Sequence, residues 1–272
     1  MLQILFKFFA IVILSALFFI ALGGASQGKK WEIVGVGIVG AQAVSEHDIE
    51  TFVREKLEGN YFFVYARDNS FIFPRRGIER GLSEVFPRIK SATVRRIDVH
   101  HLVVTVTERK PSMIWCGENI EDEMRTERGC WFVDDTGFIF DRAPIFSEGV
   151  YRELYSPLVY ANEGIPLRAM VSGERFLLAR AVGERIEREL GGVSRIVIGP
   201  EGGYSVIIRS SDLYPVLTGA EVRFRDGQLA DRLLKNLLAA LSVQFPADYS
   251  PQKELLYIDL SFGNKVFFGF EE

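Results

Sequence analysis

Hydrophobic positions in residues 31–110 recur with helical and strand periods in turn. The predicted elements are an extended segment Trp31–Ala43, a helix between Ser45 and Gly59, a short strand Tyr61–Tyr65, a helix from Pro74 to Phe86, and strands Ile89–Ile97 and His101–Glu108. Ser45 has the features of an N-cap, with Asp48 three residues later as in a capping box. The inward residues are Ile49, Phe52, Val53 and Leu57 on the first helix, Ile78, Leu82 and Val85 on the second, and Leu102, Val104 and Val106 on the last strand. This β-α-α-β-β order predicts a small α+β module over residues 31–110.

Residues 111–272 are richer in strand patterns, and Lys110-Pro111 marks the boundary between the two regions. The predicted elements are a hairpin Trp131–Phe140, a helix Gly173–Leu190, a hairpin of Val193–Ile198 and Tyr204–Arg209, a strand Glu221–Phe224, a helix capped by Asp226 and reaching Ser242, and a last hairpin of Leu255–Phe262 and Lys265–Phe270 turning at Gly263-Asn264. The second helix is expected to direct Leu229, Leu233, Leu237 and Leu241 inward. The pattern predicts a mixed, strand-rich β domain with two helices.

A long apolar run precedes both regions. Phe8–Ala25 reaches roughly 27 Å as a helix, close to the ~30 Å hydrocarbon core of a bilayer. Because the run exceeds the apolar part of a typical signal peptide, it favours an uncleaved anchor over residues 8–26, behind a short cytoplasmic tail of residues 1–7. Small residues at Gly23 and Ala25 leave a cleaved signal peptide as the alternative.

The composition excludes several classes of protein. The 272 residues are 48% hydrophobic and carry a net charge of -4, which argues for a globular chain and against nucleic-acid binding. Two cysteines are too few for a zinc ribbon or a disulfide-dense scaffold, and three histidines leave little material for a metal site.

The two cysteines lie at matching places in a predicted hairpin. Cys116 follows a tryptophan, Cys130 precedes one, and the polar segment 118–128 separates them. A bridge would close a loop of about 15 residues, stabilise the fold by roughly 3 kcal/mol, and indicate an oxidising compartment outside the cytoplasm. Two unrelated buried thiols are the alternative.

Three short motifs suggest chemistry that their context argues against. Gly35–Gly40 matches G-x-G-x-x-G, but the predicted helix starts at Ser45, too late to meet a pyrophosphate. Asp135-Thr136-Gly137 matches an aspartic-protease triplet, but no second triplet is present, and a hairpin turn explains the same residues. His100-His101 are adjacent in a strand hairpin and point to opposite faces. The sequence thus predicts no enzyme, cofactor, metal or small-molecule substrate.

Motifs spread over nearly the whole chain resemble one family. Val44–Ile49, Phe86–Val94 and Leu102–Pro111 look like a POTRA module, in the order found in the bacterial cell-division protein FtsQ/DivIB. Phe132–Phe140 resembles the family's "vD-x-x-G-x-v-f" and Leu256–Phe262 its closing "Y-I-D-L-R-f", with Ser261 where the family has arginine.

The resemblance implies a non-enzymatic, single-pass protein of the cytoplasmic membrane. Most of the chain would be extracytoplasmic, at the division septum, where it would link early and late divisome proteins. Its C-terminal strands would bind an FtsB/FtsL-type coiled coil. The alternative is a POTRA-bearing component of protein export or envelope assembly.

The implied partner-binding residues lie at the chain end. They are Phe262, Asn264, Lys265, Val266, Phe268, Gly269 and Phe270. Strand alternation places Val266, Phe268 and Phe270 on one face and Phe267 on the other. The apolar row is either core or an anchor for a partner.

Overall fold

The computed structural model describes residues 2–120, 129–147, 149–159, 165–246, 249 and 253–272. The chain divides into two compact units, an N-terminal unit Met1–Arg109 and a C-terminal unit Lys110–Glu272. The described residues form a mixed α+β protein with five α-helices and a strand-rich sheet, which confirms the fold class at this level.

The first helix, α1 (Leu2–Ser26), contains a 21-residue segment, Phe6–Ser26, that is long and apolar enough to cross a membrane. Most of its side chains are exposed, as in a helix that faces lipid rather than a protein core. A signal sequence near the N-terminus can meet the same criteria of helix length and apolar composition. The helix begins at Leu2, so residues 2–7 are helical as well.

Two helices and a three-stranded sheet make up the rest of the N-terminal unit. Its elements are β1 (Gly35–Val39), α2 (Glu46–Leu57), β2 (Asn60–Tyr61), β3 (Tyr65–Ala66), α3 (Arg75–Val85), β4 (Ile89–Arg96) and β5 (His101–Glu108). The sheet order is β1-β5-β4, with β1 parallel and β4 antiparallel to β5. The predicted order of two helices and three strands is present, and a small hairpin, β2–β3, lies between the helices.

Local capping fixes the start of α2. The Ser45 hydroxyl accepts a bond from the Asp48 amide at 3.4 Å, as predicted. The Glu108 carboxylate at the end of β5 accepts bonds from the amides of residues 42–44 at 2.8 to 3.1 Å. Burial raises the pKa of Glu108, but the three amide hydrogen bonds lower it by more, so the pKa lies below its ordinary value.

Three predictions for the N-terminal unit are wrong in detail. Trp31–Ala43 is not one extended segment, because a 3₁₀ turn occupies Lys29–Trp31 and only Gly35–Val39 joins the sheet. Tyr61–Tyr65 is not one strand, because Phe62 and Phe63 adopt positive φ and turn the chain back on itself. Val85 is half exposed, because Phe86 packs on Phe52 in its place.

The C-terminal unit is built on one nine-stranded sheet. Its elements are β6 (Met113–Gly117), β7 (Trp131–Val133), β8 (Ile139–Arg142), β9 (Glu153–Tyr155), β10 (Leu158–Val159), β11 (Met170–Val171), α4 (Gly173–Glu189), β12 (Gly192–Ile198), β13 (Gly203–Ser210), β14 (Glu221–Arg225), α5 (Ala230–Gln244), β15 (Leu255–Phe262) and β16 (Lys265–Phe270). The sheet order is β16-β15-β14-β13-β12-β9-β6-β7-β8, and β10–β11 is a separate pair. The three-residue strand β9 is central and parallel to both of its neighbours.

Two clusters of buried side chains lie in this unit. The larger joins α4 and α5 to the sheet through residues such as Phe176, Ile196 and Leu237. The smaller contains Cys116 and Phe132, with Cys130 packed against it. Strand alternation explains the division, because neighbouring residues of one strand enter different clusters.

The helix expected to be capped by Asp226 begins later. The Tyr204 hydroxyl donates to the Asp226 carboxylate, and the Arg175 guanidinium lies 3.6 Å from it, so Asp226 is occupied elsewhere. The helix starts at Ala230, and Leu229 before it is 73% exposed rather than inward. Leu233, Leu237 and Leu241 are buried as predicted.

Candidate partner-binding edge of the C-terminal sheet

The last two strands form a tight hairpin at one end of the sheet. Phe262 pairs with Lys265 across the two-residue turn Gly263-Asn264, as predicted. Gly263 has a φ of +73°, which places glycine at the position where a type II′ turn requires it. The Asn236 side chain of α5 donates to the Gly263 carbonyl at 3.0 Å and ties the turn to the helix.

One face of β16 belongs to the core. Val266, Phe268 and Phe270 are partly buried and pack against the larger cluster. The Phe245 ring at the end of α5 lies 5.5 Å from the Phe268 ring and 6.5 Å from the Phe270 ring, edge to face in both cases. These three side chains therefore hold the hairpin on the domain.

The opposite face of the hairpin carries an exposed aromatic pair. Phe262 is 61% exposed and Phe267 is 48% exposed, and their rings meet edge to face at 5.3 Å. Lys265 lies on this face too, because it is paired with Phe262. The pair offers a small apolar surface beside a positive charge.

Gly269 lies under an aromatic ring. Tyr257 faces it across the two strands, and a Cβ on Gly269 would lie 2.2 Å from the Tyr257 ring. The Arg223 guanidinium covers the same ring at 4.1 Å and donates to the Glu221 carboxylate at 2.5 and 2.7 Å. The glycine is therefore required by packing within the sheet.

The outer side of β16 is a free strand edge in the described sheet. The Glu271 amide donates inward, to the Glu254 carbonyl, at 2.9 Å. Since the direction of backbone groups alternates along a strand, the N–H and C=O groups of Val266, Phe268 and Phe270 point outward. Six backbone groups thus face away from β15 and can receive another strand.

The structure places the predicted residues in three different environments. Val266, Phe268 and Phe270 contribute packing on the core side and backbone groups on the edge, whereas Phe262 and Lys265 lie on the open face. Asn264 is exposed in the turn. Phe267 was not among the predicted contact residues. Strand alternation nevertheless indicated that its side chain lies on the face opposite Val266, Phe268 and Phe270.

The cysteine prediction is confirmed. Cys116 and Cys130 form a disulfide with Cα atoms 4.4 Å apart, on the β6–β7 hairpin. Residues 121–128 of the polar segment between them lie outside the described residues.

The motifs that suggested chemistry have structural roles. Gly35–Val39 is strand β1, and α2 begins only after Ser45. Asp134 accepts bonds from the Thr136 amide and hydroxyl and from the Phe138 amide, which makes the Asp-Thr-Gly segment a hairpin turn. The described residues contain no group of three or more His, Cys, Asp or Glu side chains arranged to hold a metal ion.

A scan against models of protein families finds no match to this chain, and a search of curated proteins finds none either. Support for a function of this chain therefore comes from its sequence motifs and from the geometry of the hairpin.

Proposed function

We propose that this chain is a membrane-anchored, non-enzymatic scaffold of bacterial cell division, similar to FtsQ/DivIB, that binds an FtsB/FtsL-type partner at β16. The free edge of β16 is the observation that carries the proposal. A partner strand added there would pair with the outward backbone groups of Val266, Phe268 and Phe270.

The side chains around the edge favour strand addition. Core packing by Phe268 and Phe270 fixes the strand before a partner arrives, so little ordering is needed on binding. The exposed Phe262–Phe267 pair gives an added strand an apolar surface, and Lys265 gives it a cation. This surface suits a partner strand that presents both apolar and acidic side chains on the face shared with Phe267 and Lys265.

The N-terminal unit supports the same proposal. Its order of elements is compatible with a POTRA module, the small hairpin aside. Glu108, in the motif that resembles the family, holds the segment that leads into α2. The α1 helix would anchor the protein in the cytoplasmic membrane.

Two variants, each replacing an exposed apolar side chain by serine, test the binding site. Phe267→Ser should weaken binding of an FtsB-type peptide at least about tenfold, because roughly 1.4 kcal/mol of apolar contact is lost. Leu177→Ser is the matched control, since Leu177 on α4 is also 48% exposed. Affinity is measured by isothermal titration on the full chain in nanodiscs, and circular dichroism checks the fold. Equal affinity of both variants and the wild type would contradict binding at this face.

A second variant tests the strand edge itself. Val266→Pro removes an outward N–H group but no bond to β15, so it should abolish strand addition. Phe268→Lys is a poorer test, because Phe268 packs on Phe245 and its loss would disturb the core.

The cellular role is tested by imaging a cytoplasmic-side fluorescent fusion while the untagged protein is depleted. A mid-cell band, with filamentation on depletion, is the expected result. A uniform envelope signal with normal division would instead favour the export or envelope-assembly class.

A further inference from the structure

The turn between β2 and β3 presents two phenylalanines to the surroundings. Phe62 is 86% exposed and Phe63 is 97% exposed. Single exposed apolar side chains are common on protein surfaces. Two consecutive ones at the tip of a hairpin form a protruding apolar patch. Such a patch is typical of a surface that contacts a partner protein or a membrane.

The backbone of this turn is unusual for its sequence. Phe62 and Phe63 have φ of 47° and 66°, and the Val64 amide donates to the Tyr61 carbonyl at 3.0 Å, which defines a type I′ turn. Such turns normally carry Asn-Gly, because bulky residues are strained at positive φ. Two aromatic residues are therefore held at the tip against their local preference.

The hairpin is fastened to the end of α1. The Tyr65 hydroxyl donates to the Phe19 carbonyl at 3.1 Å, and the two rings meet edge to face at 5.9 Å. The Gln27 side-chain amide donates to the Val64 carbonyl at 2.9 Å. Gly23 makes the approach possible, because a Cβ there would lie 1.9 Å from the Val64 side chain.

These contacts set the depth of the hairpin along α1. The Ala66 amide donates to the Ser26 hydroxyl, and Val64 lies against Gly23. From Ala66 toward the turn at Phe62–Phe63, the hairpin therefore runs back along α1, away from the C-terminal end of that helix. Phe19 is seven residues before Ser26, which is about 10 Å along a helix. That distance matches the roughly 5–10 Å to which interfacial segments enter a leaflet.

The polar groups of the hairpin suit such a depth. The bonds to Val64 and Ala66 satisfy backbone groups that water would otherwise have to reach. Lys29, Lys30 and Trp31 follow α1, as expected for residues at the level of the lipid headgroups.

We propose that the Phe62–Phe63 turn inserts into the leaflet in which α1 ends, as a second contact of the N-terminal unit with the lipid bilayer. The inference rests on the membrane-spanning role of α1 proposed above. The two contacts together would hold this unit in one orientation on the membrane, which α1 alone, as a single helix, does not do.

Spin labels on single introduced cysteines test the insertion. Phe63→Cys, Leu14→Cys and Val85→Cys are labelled on the full chain in nanodiscs of phosphatidylcholine and phosphatidylglycerol. Depth is read from the relative access of oxygen and of a water-soluble nickel chelate. Val85 is the exposed control, because it ends α3 just before the Ile89 end of β4. The other end of β4 is the one near α1, since Arg96 donates to the Ser70 carbonyl and the neighbouring Asn69 donates to the Ser26 carbonyl.

The three labels separate the possible failures. Labels at 14 and 63 are expected to be protected from nickel, and the label at 85 is expected to be accessible. Protection at 14 with full nickel access at 63 would overturn the insertion and leave the anchor intact. Nickel access at 14 would overturn the spanning role of α1 and, with it, the insertion.

A pair of adjacent glycines tests the docking of the hairpin on α1. Gly23→Leu should displace Val64 and raise nickel access at position 63 severalfold. Gly24→Leu should leave it unchanged, because nothing lies within 4 Å of a Cβ at Gly24. Equal effects of the two substitutions would overturn the role of α1 in holding the turn.

Discussion

Replacing Gly269 by alanine should destabilise the C-terminal unit, although the same change elsewhere in a chain often stabilises it. A glycine-to-alanine change at a compatible site gains about 0.4–1 kcal/mol by restricting the unfolded state. At Gly269 the new Cβ would lie 2.2 to 2.7 Å from three atoms of the Tyr257 ring. The ring would have to leave its place beneath Arg223, so we expect a net loss of about 1–2 kcal/mol, within the usual range for overpacking.

The free energy of unfolding is measured by urea titration of the purified chain in detergent, followed by tryptophan fluorescence. Two of the three tryptophans, Trp115 and Trp131, belong to the C-terminal unit and report its unfolding. Gly203→Ala on β13 is the matched control, because its Cβ would meet nothing within 4 Å.

A double variant locates the cause. In a Tyr257→Ala background, Gly269→Ala should become neutral or stabilising, giving a coupling energy of about 2 kcal/mol between the two positions. If Gly269→Ala is as stable as the wild type, or if it destabilises the Tyr257→Ala background equally, then contact with the Tyr257 ring does not explain the need for glycine.

Two further predictions concern stability. Cys116→Ser combined with Cys130→Ser should lower the free energy of unfolding of the C-terminal unit by about 3 kcal/mol, the value for a loop of this length; reduced wild type should match it in urea titrations. Glu108→Gln should destabilise the N-terminal unit by about 1–2 kcal/mol at pH 7, because a charged acceptor of three amide bonds is lost. Since the folded pKa of Glu108 is depressed, its contribution is full above its ordinary pKa of 4.5 and is lost as the pH falls through the lower folded value. Wild type and variant should therefore converge in stability at low pH, and a constant difference would contradict this assignment.

Elements with strong periodicity or an evident turn were predictable from the sequence. Ser45 caps α2, and the hairpin at Gly263-Asn264 forms as expected, because both depend on contacts between near neighbours in the chain. The disulfide was predictable for the same reason, since its two cysteines flank one hairpin.

Features decided by distant residues were not predictable. Asp226 has the sequence of a cap, but Tyr204 and Arg175 compete for its carboxylate. The Tyr61–Tyr65 segment has the composition of a strand, but its turn depends on the fit of Val64 against Gly23, 41 positions earlier in the chain. The same limit applies to the candidate site, where the stack of Arg223, Tyr257 and Gly269 brings three separate strands together.

The short strand β9 has a mechanical consequence. Among the described strands, β9 is the one through which β6–β8 pair with the rest of the sheet, by three residue pairs on each side. The chain enters this unit just before β6, whereas a partner bound at β16 would pull from the opposite end of the sheet. Tension between these two points would cross β9 through three residue pairs on each side, as it would between β14 and β15, so the packing of Met113, Val133 and Ile139 in the larger cluster would have to carry part of the load.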